Sequence, residues 1–211
     1  MIEVENVSTW GFEHAVRGMR NPMDSWDKSD SDFQWVDILK MEWVIGPNDL
    51  SLMKKLFKAG TTHRKYLRQI FVSLDITAPL YWWKEFDTYK VGTVSNSCST
   101  MHKIHSKPFS LEDFSCEHLN KDSLEVLKCV IRILNGYRED FVNADCKTKD
   151  DWWQMIQLLP SSYNQRRTIT LTYENIANIL ETRSSHKLDE WRKLCDIFRE
   201  LPYVKEIMEE E

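Results

Sequence analysis

The sequence predicts a single α+β domain over residues 1–211, mostly helical with a small sheet. Helices are predicted because several segments repeat apolar residues at spacings of three and four, as Leu124, Leu127, Ile131 and Leu134 do. Strands are predicted where β-branched and aromatic residues partly alternate with polar ones, in "RQIFVSLDITA" and "RRTITLTY". No internal repeat or linker interrupts the chain, and 211 residues suffice for one substantial core.

The N-terminal quarter of the chain predicts one strand, two helices and a loop. "MIEVENV" is a short strand. "GFEHAVRGMRN" is a helix, because Phe12, Ala15, Val16 and Met19 follow helical spacing, and it ends before Pro22, since the residue preceding a proline avoids helical geometry. "MDSWDKSDSDF" is polar and acidic, which is typical of a surface loop. "PNDLSLMKKLFKAG" is a helix with Asn48 or Asp49 as its N-cap and Gly60 as its stop.

The remaining segments are predicted to be mainly helical. Pro79 occupies the first position of the helix "PLYWWKEFDTYK", and a hydroxyl-rich loop, "VGTVSNSCST", follows it. "KDSLEVLKCVIRILNGYREDFVNA" is the longest helix, and "KTKDDWWQMIQLLP" is a helix between a Thr148 cap and Pro160. "ENIANILETR" and "HKLDEWRKLCDIFRELPYVKEIM" are helical as well.

Composition excludes several broad classes of function. A net charge of −5 gives no electrostatic basis for general nucleic-acid binding. No apolar run approaches the roughly 20 residues that cross a bilayer, and the N-terminus has no signal-peptide pattern. The five cysteines are scattered without a CxxC pair, which predicts free thiols in a reducing compartment. We therefore expect a cytoplasmic protein. Nine Trp residues predict large packed surfaces, at a subunit interface or under a flat ligand.

Histidine and cysteine side chains suggest two candidate sites from the residues alone, a metal site and a nucleophile. His102, His105, Cys116 and His118 have spacings that match no common zinc site, so we predict no metal. Cys98 is either a nucleophile, which needs a base or a cation such as Lys90 nearby, or a small packing residue.

Polar residues near the C-terminus could instead hold an anion. The guanidinium groups of Arg166, Arg167 and Arg183 suit phosphate or carboxylate, although exposed arginines are common. Asn178 lies beside Ile176 and Ile179, so its amide either has a buried partner or faces water. The chain has no Gly-rich phosphate loop, so side chains and helix ends would have to hold any nucleotide.

The order of three segments resembles the flavin-dependent thymidylate synthases, the thymidylate synthase-complementing family. The segments are "HAVRGMRNPM", "LMKKLFKAGTTHRKYLRQIFVSLDITAPLYWWKEF" and "LLPSSYNQRRTITLTYENIANILETRSSHKLDEW". The resemblance covers most of the chain. It implies a mostly helical α+β homotetramer that binds FAD and dUMP in sites shared between subunits. It also implies synthesis of dTMP with methylenetetrahydrofolate and NADPH as co-substrates.

The resemblance assigns roles to three residues directly. His63 matches a His beside the flavin, and Asn178 matches a helical Asn that contacts the flavin. Arg183 matches the Arg that grips the pyrimidine of dUMP, where a guanidinium also stabilises the enolate formed during catalysis. The resemblance thus implies a substrate-binding and catalytic role for Arg183.

The family's signature motif is altered in this chain. Thr88, Tyr89 and Lys90 stand where the family has Arg-His-Arg, and Thr93 and Cys98 replace its two Ser. Thr100 replaces its final Arg. The resemblance then implies that Lys90 contacts the cofactor phosphates, and that hydroxyl and thiol groups of Thr93, Ser97 and Cys98 contact the substrate.

Losing two or three charge-assisted bonds of about 1.5–3 kcal/mol each would abolish micromolar binding unless other cations replace them. Arg64, Lys65, Arg166 and Arg167 are candidates for that replacement. Two functions stay open. One is a divergent enzyme acting on dUMP or a related uridine nucleotide. The other is a non-catalytic protein that binds a nucleotide or a protein partner.

Overall fold

A computed structural model describes residues 1–144 and 149–209 of the chain. The predicted Thr148 cap, and Cys146, lie outside these residues. Along the described chain the elements are β1 (Glu3–Trp10), α1 (Phe12–Arg20), β2 (Asp32–Asp37), β3 (Lys40–Val44), α2 (Pro47–Lys58), β4 (Phe71–Pro79), α3 (Leu80–Phe86), β5 (Val94–Ser97), α4 (Lys121–Asn143), α5 (Lys149–Leu158), β6 (Asn164–Thr172), α6 (Tyr173–Arg183), α7 (Asp189–Arg199) and α8 (Val204–Met208). The predicted fold class, mostly helical with a small sheet, is confirmed.

Four strands form the main sheet, in the order β1-β4-β6-β5, and β2 pairs with β3 in a separate antiparallel hairpin. The chain forms two compact units. The α4 unit comprises Met1–Glu5, Asp75–Thr88 and Ser95–Thr168, and the α6 unit comprises Asn6–Leu74, Tyr89–Val94 and Ile169–Glu211. Strands β1, β4 and β6 each continue from one unit into the other. A single domain over the whole chain stays a prediction.

The core of the α4 unit lies where α4 packs against α5. Leu127, Ile131 and Leu134 are buried there as their spacing predicts, while Leu124 is half-buried. Helix α3 buries Trp82 and Trp83 in the same unit, and their rings meet edge to face with centroids 4.8 Å apart. Large aromatic surfaces therefore supply much of this unit's stability.

The core of the α6 unit gathers around α1 and α6. The four apolar residues that predicted α1 as a helix are all buried: Phe12, Ala15, Val16 and Met19. Helix α6 packs on α7 and on a 3-10 turn over Lys65–Gln69, and it buries Ile176 and Ile179 completely. Trp191 of α7 is also fully buried.

The structure corrects several local predictions. Neither Asn48 nor Asp49 caps α2; both backbone N–H groups instead donate to the side chain of Asp30, at 2.8 and 3.0 Å. The segment predicted as a hydroxyl-rich loop contains β5, an edge strand paired with β6. The β2–β3 hairpin was not predicted at all. The last predicted helix divides into α7 and α8, because Tyr203 adopts the left-handed conformation (φ 61°) between them.

The cysteines that the structure describes, Cys98, Cys116, Cys129 and Cys195, are free thiols. Burial raises the pKa of the Cys195 thiol. A raised pKa leaves less reactive thiolate at neutral pH, so Cys195 is a packing residue of α7 rather than a nucleophile.

Asp49 is a fully buried carboxylate at the start of α2, and it accepts hydrogen bonds from α1 and from the loop that follows α1. Arg20 Nε donates to one oxygen at 2.6 Å, while the hydroxyls of Ser29 and Ser31 donate to the other at 2.7 and 2.6 Å. Burial alone would raise the pKa of Asp49, but the bonds from Ser31, Ser29 and Arg20 outweigh it and hold the pKa below 3.8. The carboxylate is therefore a charged anchor between α1, the following loop and α2.

We predict that Asp49→Asn lowers the free energy of unfolding by about 3–5 kcal/mol, since it leaves the charge of buried Arg20 uncompensated. The folded pKa of Asp49 lies below its unfolded value. Its stabilisation is therefore fully present above about pH 5 and is lost as the pH falls through the folded pKa. Urea unfolding from pH 7 to pH 3 should show the gap between wild type and variant narrowing below about pH 4. Glu139→Gln, at an exposed position on α4, is the control and should change little. An unchanged urea midpoint in Asp49→Asn would contradict the anchor role.

Candidate functional site

A cleft of about 940 Å³ lies in the α6 unit between the end of α1, the loop that follows it, one side of α2 and the segment before β4. His63 and Lys65 line this cleft, which we call the His63 cleft. Arg64, the residue between them, makes its contacts with α6 instead. The volume of the His63 cleft is near the upper end of the range of about 300–1,000 Å³ that is typical of small-molecule and cofactor pockets.

Positive charge concentrates in the His63 cleft. Lys28, Lys55, Lys65 and Arg68 line it, and the side chains of these four form no ion pair with another described residue. No Asp or Glu lies among the described lining residues. Unpaired cations along the walls of one concave site raise the local concentration of an anionic ligand, even though the whole chain carries a charge of −5.

A tight turn after α2 places His63 in the cleft. Gly60 ends the helix with φ +96°, a conformation that side-chain-bearing residues rarely adopt. The backbone N–H groups of His63 and Arg64 both donate to the Gly60 carbonyl, at 3.0 and 3.1 Å. The turn leaves the His63 ring exposed, with both nitrogens free to meet a ligand.

A buried polar network joins Arg64 to α6. Arg64 donates through Nε and Nη2 to one oxygen of Glu174, at 3.3 and 3.2 Å, and through Nη2 to Asn178 Oδ1, at 3.1 Å. Arg64 and Glu174 are each 8% exposed, and the other Glu174 oxygen is buried without a partner. Because a guanidinium can only donate, the amide oxygen of Asn178 must face Arg64 and its two N–H groups face away.

Arg183, at the end of α6, is held between two aromatic rings. Its guanidinium carbon lies 4.7 Å from the centre of the Trp191 ring and 5.7 Å from that of Tyr89. Arg183 Nε also donates to the Tyr89 hydroxyl at 2.9 Å. Tyr89 stands at the position of the family's signature His, so the altered motif contacts the very arginine that the resemblance assigns to the pyrimidine.

The turn from Lys90 to Thr93 is fastened to the N-terminus of α6. Asn175 Nδ2 donates to the Val91 carbonyl at 2.8 Å, and Gly92 takes φ +72° beside the Asn175 side chain. Lys90 itself is exposed and forms no ion pair with a described residue. The hydroxyl of Thr93 is buried without a hydrogen-bond partner, which leaves a polar group there for a ligand to satisfy.

Ser97 and Cys98 belong to the α4 unit. Both are exposed, and Cys98 lines a cavity of about 920 Å³ in that unit together with Arg166. The Cys98 backbone N–H donates to the Arg166 carbonyl at 2.9 Å, in continuation of the β5–β6 pairing. Neither residue lines the His63 cleft.

The four cations proposed as replacements for the lost arginines differ in whether they already have a carboxylate partner. Arg64 is bound to Glu174, Arg166 to Asp75 and Glu5, and Arg167 to Asp87, with its guanidinium 4.2 Å from the Trp83 ring centre. Lys65 alone among the four lines the His63 cleft without an ion-pair partner in the described chain.

Several residues of the site were missed from the sequence. Lys28, Lys55 and Arg68 come from three separate segments, and nothing in the spacing of single exposed cations marks them as neighbours. Glu174 is buried in the structure, and it lies two positions before the apolar Ile176 in α6. A carboxylate so close to an apolar helix face is a sequence signal that it requires a cation.

Residues 1–144 and 149–209 contain no group of three or more His, Cys, Asp or Glu placed to hold a metal ion. Of the residues weighed for such a site, His105 packs its ring against Phe141 at 4.8 Å between centroids. Among the helices that the structure describes, none has the length and apolarity to span a membrane.

Two solved structures resemble the whole chain. One is the flavin-dependent thymidylate synthase ThyX of Helicobacter pylori complexed with FAD and dUMP. It has a TM-score of 0.66 and 18% identity, over 98% of this chain and 98% of that one. Another structure of H. pylori ThyX with FAD and dUMP has a TM-score of 0.66 and 17% identity, over 99% and 98%. No protein-family profile matches the chain, and no curated protein matches its sequence significantly.

The fold is that of the flavin-dependent thymidylate synthases. This confirms the fold that the three sequence segments predicted. At 17–18% identity the likeness establishes the thymidylate synthase fold alone. Whether the chain carries out that chemistry depends on its own side chains.

We predict that Glu174→Gln lowers the free energy of unfolding by roughly 1.5–3 kcal/mol, because Arg64 loses a charge-assisted partner in a buried site. Glu181→Gln, an exposed position on the same helix, is the matched control. Chemical denaturation of both variants measures the difference. Equal stability of the two would show that the Arg64 network contributes nothing to holding α6.

Proposed function

We propose that the protein binds FAD in the His63 cleft. We further propose that it is a divergent thymidylate synthase-like enzyme. Its reaction would be reductive C5-methylation of dUMP, or of a related uridine nucleotide, with methylenetetrahydrofolate and NADPH as co-substrates. The observation that carries the proposal is the cleft itself, where four unpaired cations surround His63 and no described lining residue is acidic.

The residues of the cleft fit the charge of a flavin dinucleotide. Its pyrophosphate carries two negative charges, which Lys55, Lys65 and their neighbours can attract as point charges without arginine forks. His63 is exposed at the same cleft and is proposed to lie beside the flavin ring. When bound, the flavin supplies the hydride of the reductive step.

Residues on α6 are proposed to complete the ligand sites. Asn178 turns its two N–H groups away from Arg64 and can donate to a flavin carbonyl. Arg183, fixed between Tyr89 and Trp191, is proposed to hold a uracil carbonyl and the negative charge that develops on it.

The altered signature motif is proposed to contribute weaker contacts. Lys90 would add an exposed positive charge near the phosphates, and the unsatisfied hydroxyl of Thr93 would donate to substrate. Ser97 and Cys98 are proposed as further substrate contacts, because both side chains are exposed.

We also propose a homo-oligomer, most simply a tetramer with sites shared between subunits, and a cytoplasmic location. The tip of the β2–β3 hairpin supports assembly, since the side chains of Ile38 and Leu39 are 89% and 93% exposed. Light scattering at micromolar concentration should give a multiple of the chain mass. A monomer mass alone would refute shared sites.

A second candidate function is a nucleotide-binding protein without catalysis. It is favoured by the bond between Arg183 Nε and the Tyr89 hydroxyl, which commits part of the proposed catalytic arginine to a side chain of its own protein. The two functions differ in one assay. An enzyme converts dUMP to dTMP with methylenetetrahydrofolate and NADPH, whereas a binding protein takes up FAD or the uridine nucleotide without turnover.

We predict that Lys55→Gln combined with Lys65→Gln weakens FAD binding roughly threefold to tenfold, as two partly exposed cations are lost. Lys54→Gln combined with Lys121→Gln changes the net charge equally, but neither residue lines the cleft. FAD titration followed by flavin absorbance and fluorescence measures both affinities. Equal weakening in the two double variants would place the flavin elsewhere, and a protein that takes up no FAD would refute the flavin proposal.

We predict that Arg183→Ala weakens binding of dUMP about tenfold or more, the loss of one charge-assisted bond. Asn178→Ala should mainly weaken binding of FAD. Arg132→Ala, at an exposed position on α4, is the control for both. Calorimetric affinities unchanged for both ligands in both variants would remove α6 from the site.

A further inference from the structure

A second cavity of the α6 unit, of about 600 Å³, is lined on one side by α1 and on the other by β3. The indoles of Trp26 and Trp43 line it, and we call it the Trp26–Trp43 cavity. It shares only Arg20 and Asn21 with the described lining of the His63 cleft. The two indoles and Arg17 lie outside the lining of the His63 cleft, so the proposed flavin site does not account for them.

Two buried donors in the wall of this cavity have no acceptor. Arg20 is 4% exposed, and it uses Nε for Asp49 and Nη1 for the Ser25 carbonyl, at 2.6 and 3.3 Å. Its Nη2 is buried without a hydrogen-bond partner among the residues that the structure describes, and so is Trp43 Nε1. More than nine in ten buried polar groups are hydrogen-bonded, so two unsatisfied donors among the residues that line one cavity indicate a missing acceptor.

The unpartnered guanidinium donor of Arg20 favours an anionic acceptor, because charge-assisted hydrogen bonds are roughly twice as strong as neutral ones. Arg17 is exposed at the cavity, with Nη2 3.5 Å from His14 Nδ1. The one carboxylate among the described lining residues, Glu13, lies 3.3 Å from His14 Nε2. Arg17 and Glu13 carry opposite charges and Asp49 pairs with Arg20, so the preference for an anion comes from the unpartnered Arg20 Nη2 donor and not from a surplus of positive charge.

The indoles favour a flat ring as the rest of the ligand. Trp26 is 52% exposed, and its Nε1 donates to Asn21 at 2.8 Å, which fixes the plane of the indole at the cavity wall. Trp43 is itself held by Phe33, whose ring meets it edge to face at 5.2 Å. Two fixed indoles in one cavity offer stacking and edge contacts to a planar aromatic group.

We propose that the Trp26–Trp43 cavity is a binding site for a small aromatic carboxylate. The ring packs against the indoles, and the carboxylate accepts from Arg20 Nη2 and Trp43 Nε1 near Arg17. The site shares Arg20 with the His63 cleft, but it needs neither FAD nor the α6 residues.

The test uses 2-naphthoate as the probe and the neutral 2-naphthylmethanol as its matched control. Titration is followed by the indole ¹H–¹⁵N NMR signals, of which Trp43→Phe identifies one. Trp35→Phe, on the other strand of the same hairpin and 68% exposed, is the control variant. Circular dichroism confirms that both variants are folded.

We expect 2-naphthoate to shift the Trp43 signal saturably and to bind at least tenfold more tightly than 2-naphthylmethanol. Trp43→Phe keeps an aromatic ring but deletes the N–H donor, so it should weaken 2-naphthoate about threefold to tenfold, the loss of one hydrogen bond. Trp35→Phe should bind like wild type.

Two outcomes would overturn the proposal. One is no saturable shift up to about 5 mM probe, beyond the range of a specific small-molecule site. The other is equal affinity in Trp43→Phe and Trp35→Phe. The double variant Lys55→Gln, Lys65→Gln tests this proposal separately from the flavin proposal. It should bind 2-naphthoate with unchanged affinity, whether or not it binds FAD.

Discussion

The buried ion pair between Arg20 and Asp49 fixes the walls of both cavities in the α6 unit. Arg20 is the last residue of α1, and Asp49 is in the first turn of α2. The loop between them contributes Ser29 and Ser31, whose hydroxyls complete the shell of the carboxylate. Because breaking a buried pair costs about 3–5 kcal/mol, this loop is tied to the two helices. The same loop lines the His63 cleft with Lys28 and the Trp26–Trp43 cavity with Trp26.

The elements that the sequence predicted well are those whose local pattern agrees with their burial. Helix α1 buries each residue of its predicted apolar face, and β4 and β6 follow β-branched runs. The β2–β3 hairpin escaped prediction because its turn residues, Ile38 and Leu39, are not turn formers, and its strands have no buried face. Asp49 was mistaken for a helix cap because its real partners lie about 20 to 30 positions earlier in the chain.

The site could be predicted only where a resemblance supplied long-range information. The resemblance selected His63, which lines the cleft, and Asn178, which bonds to the neighbouring Arg64. The cations of the cleft come from the loop, α2 and the 3-10 turn, so their proximity is a product of tertiary packing. A single exposed lysine such as Lys55 has no sequence signature, since most exposed lysines are solvated. Lys65 was named only because it follows His63 directly.

Under the proposed function, one physical explanation accounts for both the altered family motif and the cations of the cleft. Tyr89 stands at the position of the family's His and packs against Arg183, while Thr88 stands at the position of an Arg, so this part of the loop contributes a ring and a hydroxyl but no arginine charge. The positive charge that a flavin pyrophosphate requires would be supplied instead by Lys55, Lys65 and their neighbours in the His63 cleft. Lysines in an open cleft attract phosphate as point charges, and salt screens exposed charges beyond about 8 Å. Affinity for the cofactor should accordingly depend more steeply on ionic strength than in a site built from buried arginine forks.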